Sequence, residues 1–338
     1  MKFLLSLTLL LALSLAVCAE EKENNDFYDN IPATELNGPS VFVFGEVENP
    51  GKADFSALEL RSVIVRETGF EKGLPNFVGA YRYDGYSLFD ILKERFLAKK
   101  NVKEFQPIID LVVSVENPQG EKVVLSWGEV YYPSKLHQVI IATRVTPIIP
   151  THSKDQWPIP QHTKLICGND MISVRNISNP HKITIFAAPV SFKTIKGLKP
   201  MYQASIRIKD HDRQVAELSG LPAGAETRNY PACFYGRGRG FHGIQYFNGA
   251  LLSDFLSPYF QSSEENLKSG YFVAAAQDGY RVALTYSEIF NRNDYADFVV
   301  QDIGQYMEDG RFRLFPAHDF FSDRAVKALN EIVYLTLP

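Results

Sequence analysis

The sequence predicts an α+β fold present twice in tandem, with mixed β-sheets and short helices. Landmarks between Tyr83 and Ile183 recur in the same order between Phe247 and Ile332, and short strand patterns interleave with short helical ones. The 338 residues are enough for about two domains that each bury a core.

Three matched blocks carry the repeat. Tyr83-Asp84-Gly85, Leu88 and Asp90-Ile91-Leu92 align with Phe247-Asn248-Gly249, Leu252 and Asp254-Phe255-Leu256 at a numbering difference of 164. Both read as a turn feeding a short amphipathic helix. Residues 120–130 align with 279–289 at a difference of 159. Each reads as a hairpin and then a helix start, because Ser126 or Thr285 precedes Glu129 or Glu288 by three residues, as in a capping box. The third block sets Leu165, Asp170, Arg175, Ile177 and Ile183 against Leu314, Asp319, Arg324, Val326 and Ile332 at a difference of 149. The falling difference places longer loops in the first copy. Residues found in both copies, such as Asp170 with Arg175, Asp319 with Arg324, and Glu129 with Glu288, read as scaffold.

Within each copy the elements follow from local pattern. A dense β-branched and aromatic run over 40–47 predicts an opening strand that ends at the Asn49-Pro50-Gly51 turn. Its counterpart over 202–209 alternates apolar and polar side chains, as a half-buried strand does. Helices are expected over 88–96 and 251–260, and strands over 109–115, 122–125, 271–276 and 281–284. The segment 189–200 is the junction, so the copies are expected to occupy 40–190 and 200–338.

Ahead of them, residues 1–19 read as a secretory signal. Lys2 is the charged start, 3–15 the apolar run, and Val17-Cys18-Ala19 the small-residue cleavage site. Cleavage before Cys18 would instead make a lipoprotein, but Val17 is bulky for that position. The expected location is periplasmic or secreted, with no transmembrane segment left after cleavage. Residues 20–39 are polar, lack periodicity and read as a flexible linker. The mature chain carries 34 basic and 39 acidic residues, which argues against nucleic acid as a partner. A small-molecule or protein partner in the envelope is left unnamed. Cys167 and Cys233 remain, and spacing leaves their pairing open.

Taken together, these landmarks resemble the oxidoreductase molybdopterin-binding domain of the sulfite oxidase family, here as a tandem duplication. The resemblance rests on the Gly-x-x-Leu-x-Asp-x-Leu segments 85–92 and 249–256, with the hairpin and closing blocks after them. It implies that fold over nearly all of 40–338. In catalytic members of the family one cysteine thiolate ahead of the Gly-x-x-Leu segment binds molybdenum. Cys233 holds a comparable place, in Cys233-Phe234-Tyr235-Gly236-Arg237-Gly238-Arg239-Gly240. The resemblance thus implies Cys233 as catalytic residue and metal ligand, and the first copy has no cysteine to match it.

Chemistry around Cys233 supports that assignment. Arg237, Arg239 and His242 favour the thiolate, and two guanidinium forks beside bare glycine amides suit the phosphate of a molybdopterin. The signal argues the other way. Family members commonly leave the cell folded, behind a twin-arginine signal, whereas this one has one lysine and no arginine, and a chain exported unfolded cannot carry a cofactor whose site forms only on folding. Two functions therefore follow: a molybdopterin-dependent oxidoreductase with its cofactor in the second copy, or a cofactor-free binding or assembly module of the cell envelope that presents its aromatic and arginine loop.

Overall fold

The computed structural model describes residues 31–150, 152–304, 308 and 310–337. The signal over 1–19, Cys18 and the start of the linker lie outside the described residues. The chain divides into two units. In the one that includes Ile149–Asp155, the Ser153 amide donates to the Pro150 carbonyl at 2.8 Å. The other, Ile31–Ile148 with Gln156–Pro338, carries both copies.

The first copy contains β1 (Thr34–Glu35), β2 (Phe42–Gly45), β3 (Gly51–Lys52), β4 (Leu60–Glu71), β5 (Leu74–Ser87), β6 (Leu111–Glu116), β7 (Lys122–Ser126), β8 (Val139–Pro147), β9 (Lys164–Cys167) and β10 (Lys182–Ala187). The second contains β11 (Ile206–Asp210), β12 (Arg213–Leu218), β13 (Thr227–Gly236), β14 (Gly240–Leu251), β15 (Gly270–Ala276), β16 (Arg281–Thr285), β17 (Phe298–Asp302), β18 (Phe312–Pro316) and β19 (Leu329–Thr336). One sheet of each copy is mixed, in the orders β3-β2-β10-β6-β7 and β12-β11-β19-β15-β16. In these sheets β2 runs parallel to β10 and β11 parallel to β19. The other sheets are antiparallel: β4-β5-β8 with β9 on the far edge of β8, and β13-β14-β17-β18. The repeat thus holds strand for strand. β1 is the addition, pairing with β8 from residues expected to be linker.

This architecture corrects the α+β, sulfite oxidase-like fold expected from the sequence. Strands hold 46% of the described residues and helices 11%, and four small sheets stand in a four-bladed β-propeller arrangement. The reason lies in segments whose pattern is ambiguous. The expected helices shrink from their C-terminal ends to Leu88–Lys93 and Leu252–Leu256, and each follows directly on a long strand, β5 or β14. Tyr83-Asp84-Gly85 is strand interior rather than a turn. A Cβ on Gly85 would stand 2.1 Å from the Ile141 carbonyl oxygen, and one on Gly249 would stand 2.3 Å from that of Val300. Both glycines mark a close approach of neighbouring backbones, which is the other common reason for glycine in a strand.

The expected helix starts are present. Ser126 Oγ accepts the Glu129 amide before the helix Trp127–Tyr131, and Thr285 Oγ1 accepts the Glu288 amide before Tyr286–Phe290. Thr285 and Glu288 complete a capping box, whereas Ser126 and Glu129 form only its first half. Arg175, fully buried, donates to Glu129 at 2.5 Å, to Asp170 at 2.6 Å and to the Val124 carbonyl at 3.0 Å. Arg324 repeats this with Glu288 at 2.6 Å and Asp319 at 2.7 Å. Each cap hydroxyl also reaches the other copy's glutamate: Ser126 donates to Glu288 at 2.6 Å and Thr285 to Glu129 at 3.2 Å. The residues found twice are therefore a buried bracket joining the copies. Around it, one hydrophobic cluster draws on both, including Leu88, Leu125 and Ile183 from the first and Phe255, Leu284 and Ile332 from the second. Among the described residues no helix is long and apolar enough to cross a membrane.

The two glutamates titrate in opposite senses. Burial raises Glu129 above its ordinary value despite Arg175. Burial also pushes Glu288 up, but Arg324, the Ser126 hydroxyl and the Thr285 amide outweigh it and hold the carboxyl below 4.5. A folded-state value below the unfolded one means that ionised Glu288 stabilises the fold above pH 4.5, and that this stabilisation is lost as pH falls through the folded value. The unfolding free energy of Glu288→Gln should therefore vary less with pH below 4.5 than that of the parent. Urea denaturation at a series of acidic pH values measures it, and identical slopes would refute the assignment.

Candidate functional site

A cavity of about 580 Å³ opens in the second copy, between the hairpin β13–β14 with β17 and β18 on one side and the turn after β15 with residues 322–327 on the other. Alternation along β14 decides which of its side chains reach it. Phe234 comes from β13, Gln245 and Phe247 from β14, and Arg313 and Phe315 from β18. Phe247 and Phe315 stack with centroids 3.4 Å apart and planes 7° apart. Phe234 lies 6.1 Å from the first and 6.3 Å from the second. His242 meets Phe234 edge-on at 5.5 Å.

The rest of the rim sets the charge. Arg239, His242, Arg313 and Lys327 line the cavity, against one acid, Asp278, whose carboxylate accepts the Tyr280 amide at 3.0 Å. Tyr280 closes the same wall. Burial, and then the charge of Asp323, raise its phenol well above the ordinary range, so it stays a neutral donor, and it donates to the Asp323 carbonyl. An apolar floor under a cationic rim suits a small molecule with a flat apolar body and a negative group.

The residues singled out in the sequence divide between two faces. Arg239 and His242 line the cavity. Arg237 does not: its amide donates to Asp323 at 3.3 Å and its guanidinium lies 3.7 Å from the same carboxylate. Cys233 is exposed and pairs across the hairpin with Ile244, itself 70% exposed, whereas the next residue, Phe234, faces the cavity. The thiol therefore stands on the opposite side of the sheet from Arg239 and His242. A molybdopterin anchored to Cys233 by its metal and to Arg239 and His242 by its phosphate does not fit this arrangement, because one ligand would have to engage both faces of a hairpin. Among the described residues Cys167 and Cys233 form no disulfide, and burial raises the Cys167 thiol well above its ordinary value.

Along the chain, Tyr230, Phe234, Tyr235, Phe241, Tyr246 and Phe247 form one aromatic cluster, of which Tyr230 is taken up by a hydrogen bond from its hydroxyl to Asp297. Strand alternation splits it. Phe234 and Phe247 face the cavity, while Tyr235, Phe241 and Tyr246 are exposed. Sequence pattern marks Arg313 only as a neighbour of Leu314 in the closing block, and it does not single out Phe315, Gln245 or Lys327. The period of two along β14 and β18 is the available signal for Gln245 and Phe315. Lys327 has none, because it lies outside a strand and reaches the cavity through the fold. No family model matches the chain, and no curated protein does either.

Proposed function

We propose that the chain is a cofactor-free binding module of the cell envelope, in which the second copy's cavity captures a small anionic molecule. The observation that carries this reading is the pairing of the stacked Phe247 and Phe315 with the basic rim of Arg239, His242, Arg313 and Lys327. Apolar contact supplies most of the attraction in such a site, and a guanidinium fork supplies orientation.

The probe for this reading is 8-anilinonaphthalene-1-sulfonate, which joins flat rings to a fixed negative charge. It should bind the folded chain at one site, with fluorescence enhancement that Phe247→Ala reduces. Maleimide should label Cys233 in the folded protein and Cys167 only after denaturation, since only the first is exposed and the second is held as a buried thiol. Labelling at Cys233 should leave probe binding unchanged, because that thiol faces away from the cavity. No saturable binding of the probe, or loss of binding on Cys233 labelling, would count against the proposal.

A further inference from the structure

Resting on the binding role proposed above, we infer that the anionic molecule is a short extended peptide of a partner protein, which lays an aromatic side chain over Gln245 and sets a carboxylate toward Arg239. The first copy carries the argument, because there the chain seats such a segment of its own. Strand pairing sets the equivalence. Arg61 faces Gly85 across β4 and β5, and Arg228 faces Gly249 across β13 and β14. Counting from these pairs, Val65 and Tyr81 correspond to Ala232 and Gln245, and Phe77 corresponds to Phe241, with an irregularity in register at the same point of both hairpins. Residues 148–163 link β8 to β9, as 303–311 link β17 to β18.

In the first copy part of that link lies over the hairpin. Trp157 packs against a second hydrophobic cluster that includes Val63, Val65, Tyr81, Tyr83 and Ile166, and it meets the Phe77 ring edge-on at 5.2 Å. Its Nε1 donates to the Ile148 carbonyl at 2.9 Å, and the Tyr81 hydroxyl donates to the Pro158 carbonyl at 2.7 Å. Residues 156–161 hold no helix or strand, and Pro158 and Pro160 bias the residues before them toward extended backbone. Under this cover Tyr81 is left 1% exposed.

The second copy keeps the face and lacks the cover. Its floor is the more aromatic of the two, since Phe234, Phe247 and Phe315 stand where Glu67, Tyr83 and Ile166 do. Above that floor, Gln245 is exposed in the place of the buried Tyr81, Phe241 is 62% exposed, and no described residue of 303–311 lines the cavity. The receiving groups have counterparts. Phe241 supplies a ring as Phe77 does, and the Gln245 amide can donate to a peptide carbonyl as the Tyr81 hydroxyl does. The occupant comes from another protein, because the chain's own Trp157 is engaged in the first copy. Charge separates the two hairpins. The tip beyond the Gly69 and Asn76 pair is 70–75, whereas that beyond Gly236 and Gly240 is 237–239, and its Arg239 lines the cavity without a hydrogen bond or ion pair to any described residue. Phe77 lies nearer its tip than Tyr81 does, so in a peptide seated in the same sense the residues ahead of the aromatic lie toward Arg239, and an acid there is attracted to it.

Calorimetric titration of the full chain with the acetylated and amidated peptide of residues 155–161, whose one carboxylate is Asp155 and whose one ring is Trp157, tests this. Binding at one site is expected, with displacement of the anilinonaphthalene probe. The Trp157→Ala peptide should bind about tenfold or more weakly, and the Asp155→Asn peptide about tenfold more weakly. Arg239→Ala in the chain should weaken the parent peptide by about tenfold and leave the Asp155→Asn peptide unaffected, which places the carboxylate at the second copy. No saturable binding up to about 1 mM peptide, equal affinity for the Trp157→Ala peptide, or undiminished binding in Arg239→Ala overturns the inference. In sedimentation velocity the chain alone should be monomeric; a dimer that the peptide dissociates would make a second copy the occupant and overturn the partner protein. If the peptide fails and the anilinonaphthalene probe still binds, the binding role survives. Failure of both overturns both.

Discussion

Replacing Arg175 with alanine should lower the unfolding free energy by about 3–5 kcal/mol, as expected when one partner of a buried ionic group is removed. Arg175 is fully buried, and its loss strands two carboxylates, Glu129 and Asp170, that have little access to water. The Val124 carbonyl loses a donor as well. Arg324→Ala should have a similar effect through Glu288 and Asp319. The two are not independent, since Thr285 from the second copy touches Glu129 and Ser126 from the first touches Glu288. The double variant should therefore deviate from the sum of the single losses by about 0.5–3 kcal/mol. Urea denaturation of the three variants reads this directly. A loss below about 1 kcal/mol at Arg175, the level of an exposed ion pair, would show that the bracket does not hold the copies together.

The second large effect is expected at the paired glycines. Gly85→Ala and Gly249→Ala should each cost about 1–3 kcal/mol or more, because the new methyl meets a backbone carbonyl that cannot swing aside. The separations such a methyl would have, 2.1 Å to Ile141 and 2.3 Å to Val300, are far inside van der Waals contact. The functional consequences should differ. Gly249 lies two residues from Phe247 on β14, so pushing β14 from β17 disturbs the cavity floor, whereas Gly85 lies in the first copy, beside the buried Tyr83 and away from the cavity. Gly249→Ala should therefore weaken binding of the anilinonaphthalene probe and Gly85→Ala should not, once both are measured well below their unfolding transitions. Equal probe affinity in both variants would show that the cavity is insensitive to this strand spacing.

The bracket and the glycines differ in how far the sequence reveals them. The bracket is legible as recurrence. Asp170 with Arg175, and Asp319 with Arg324, keep their spacing in both copies, and a buried charge needs its partners wherever the scaffold is reused. The glycines are legible as recurrence but misleading in kind. Glycine before a polar turn and glycine under a neighbouring carbonyl look alike in one dimension, and reading Tyr83-Asp84-Gly85 as a turn carries the error into the fold class. The adjoining helices then look longer than the single turns they are.

Cys233 illustrates the same limit at the site. Its neighbourhood of glycine and arginine is chemically suited to a thiolate and a phosphate, and those residues are close along the chain. Closeness along a strand alternates between two faces, so Cys233 and Phe234 serve opposite sides of one hairpin while Arg239 and His242 join Phe234.

Comparison of the chain with itself therefore brought out the duplication, and with it the helix caps and the Asp–Arg pairs, which depend on residues three or five positions apart. Which segments are strand, which face each side chain takes, and where the second copy opens its cavity were decided by strand pairing. The physical reason is that a cavity is made by residues absent from contact. Its walls, Phe234, Phe247, Arg313 and Lys327, come together only after the sheet has set its register, and no local pattern encodes the space between them.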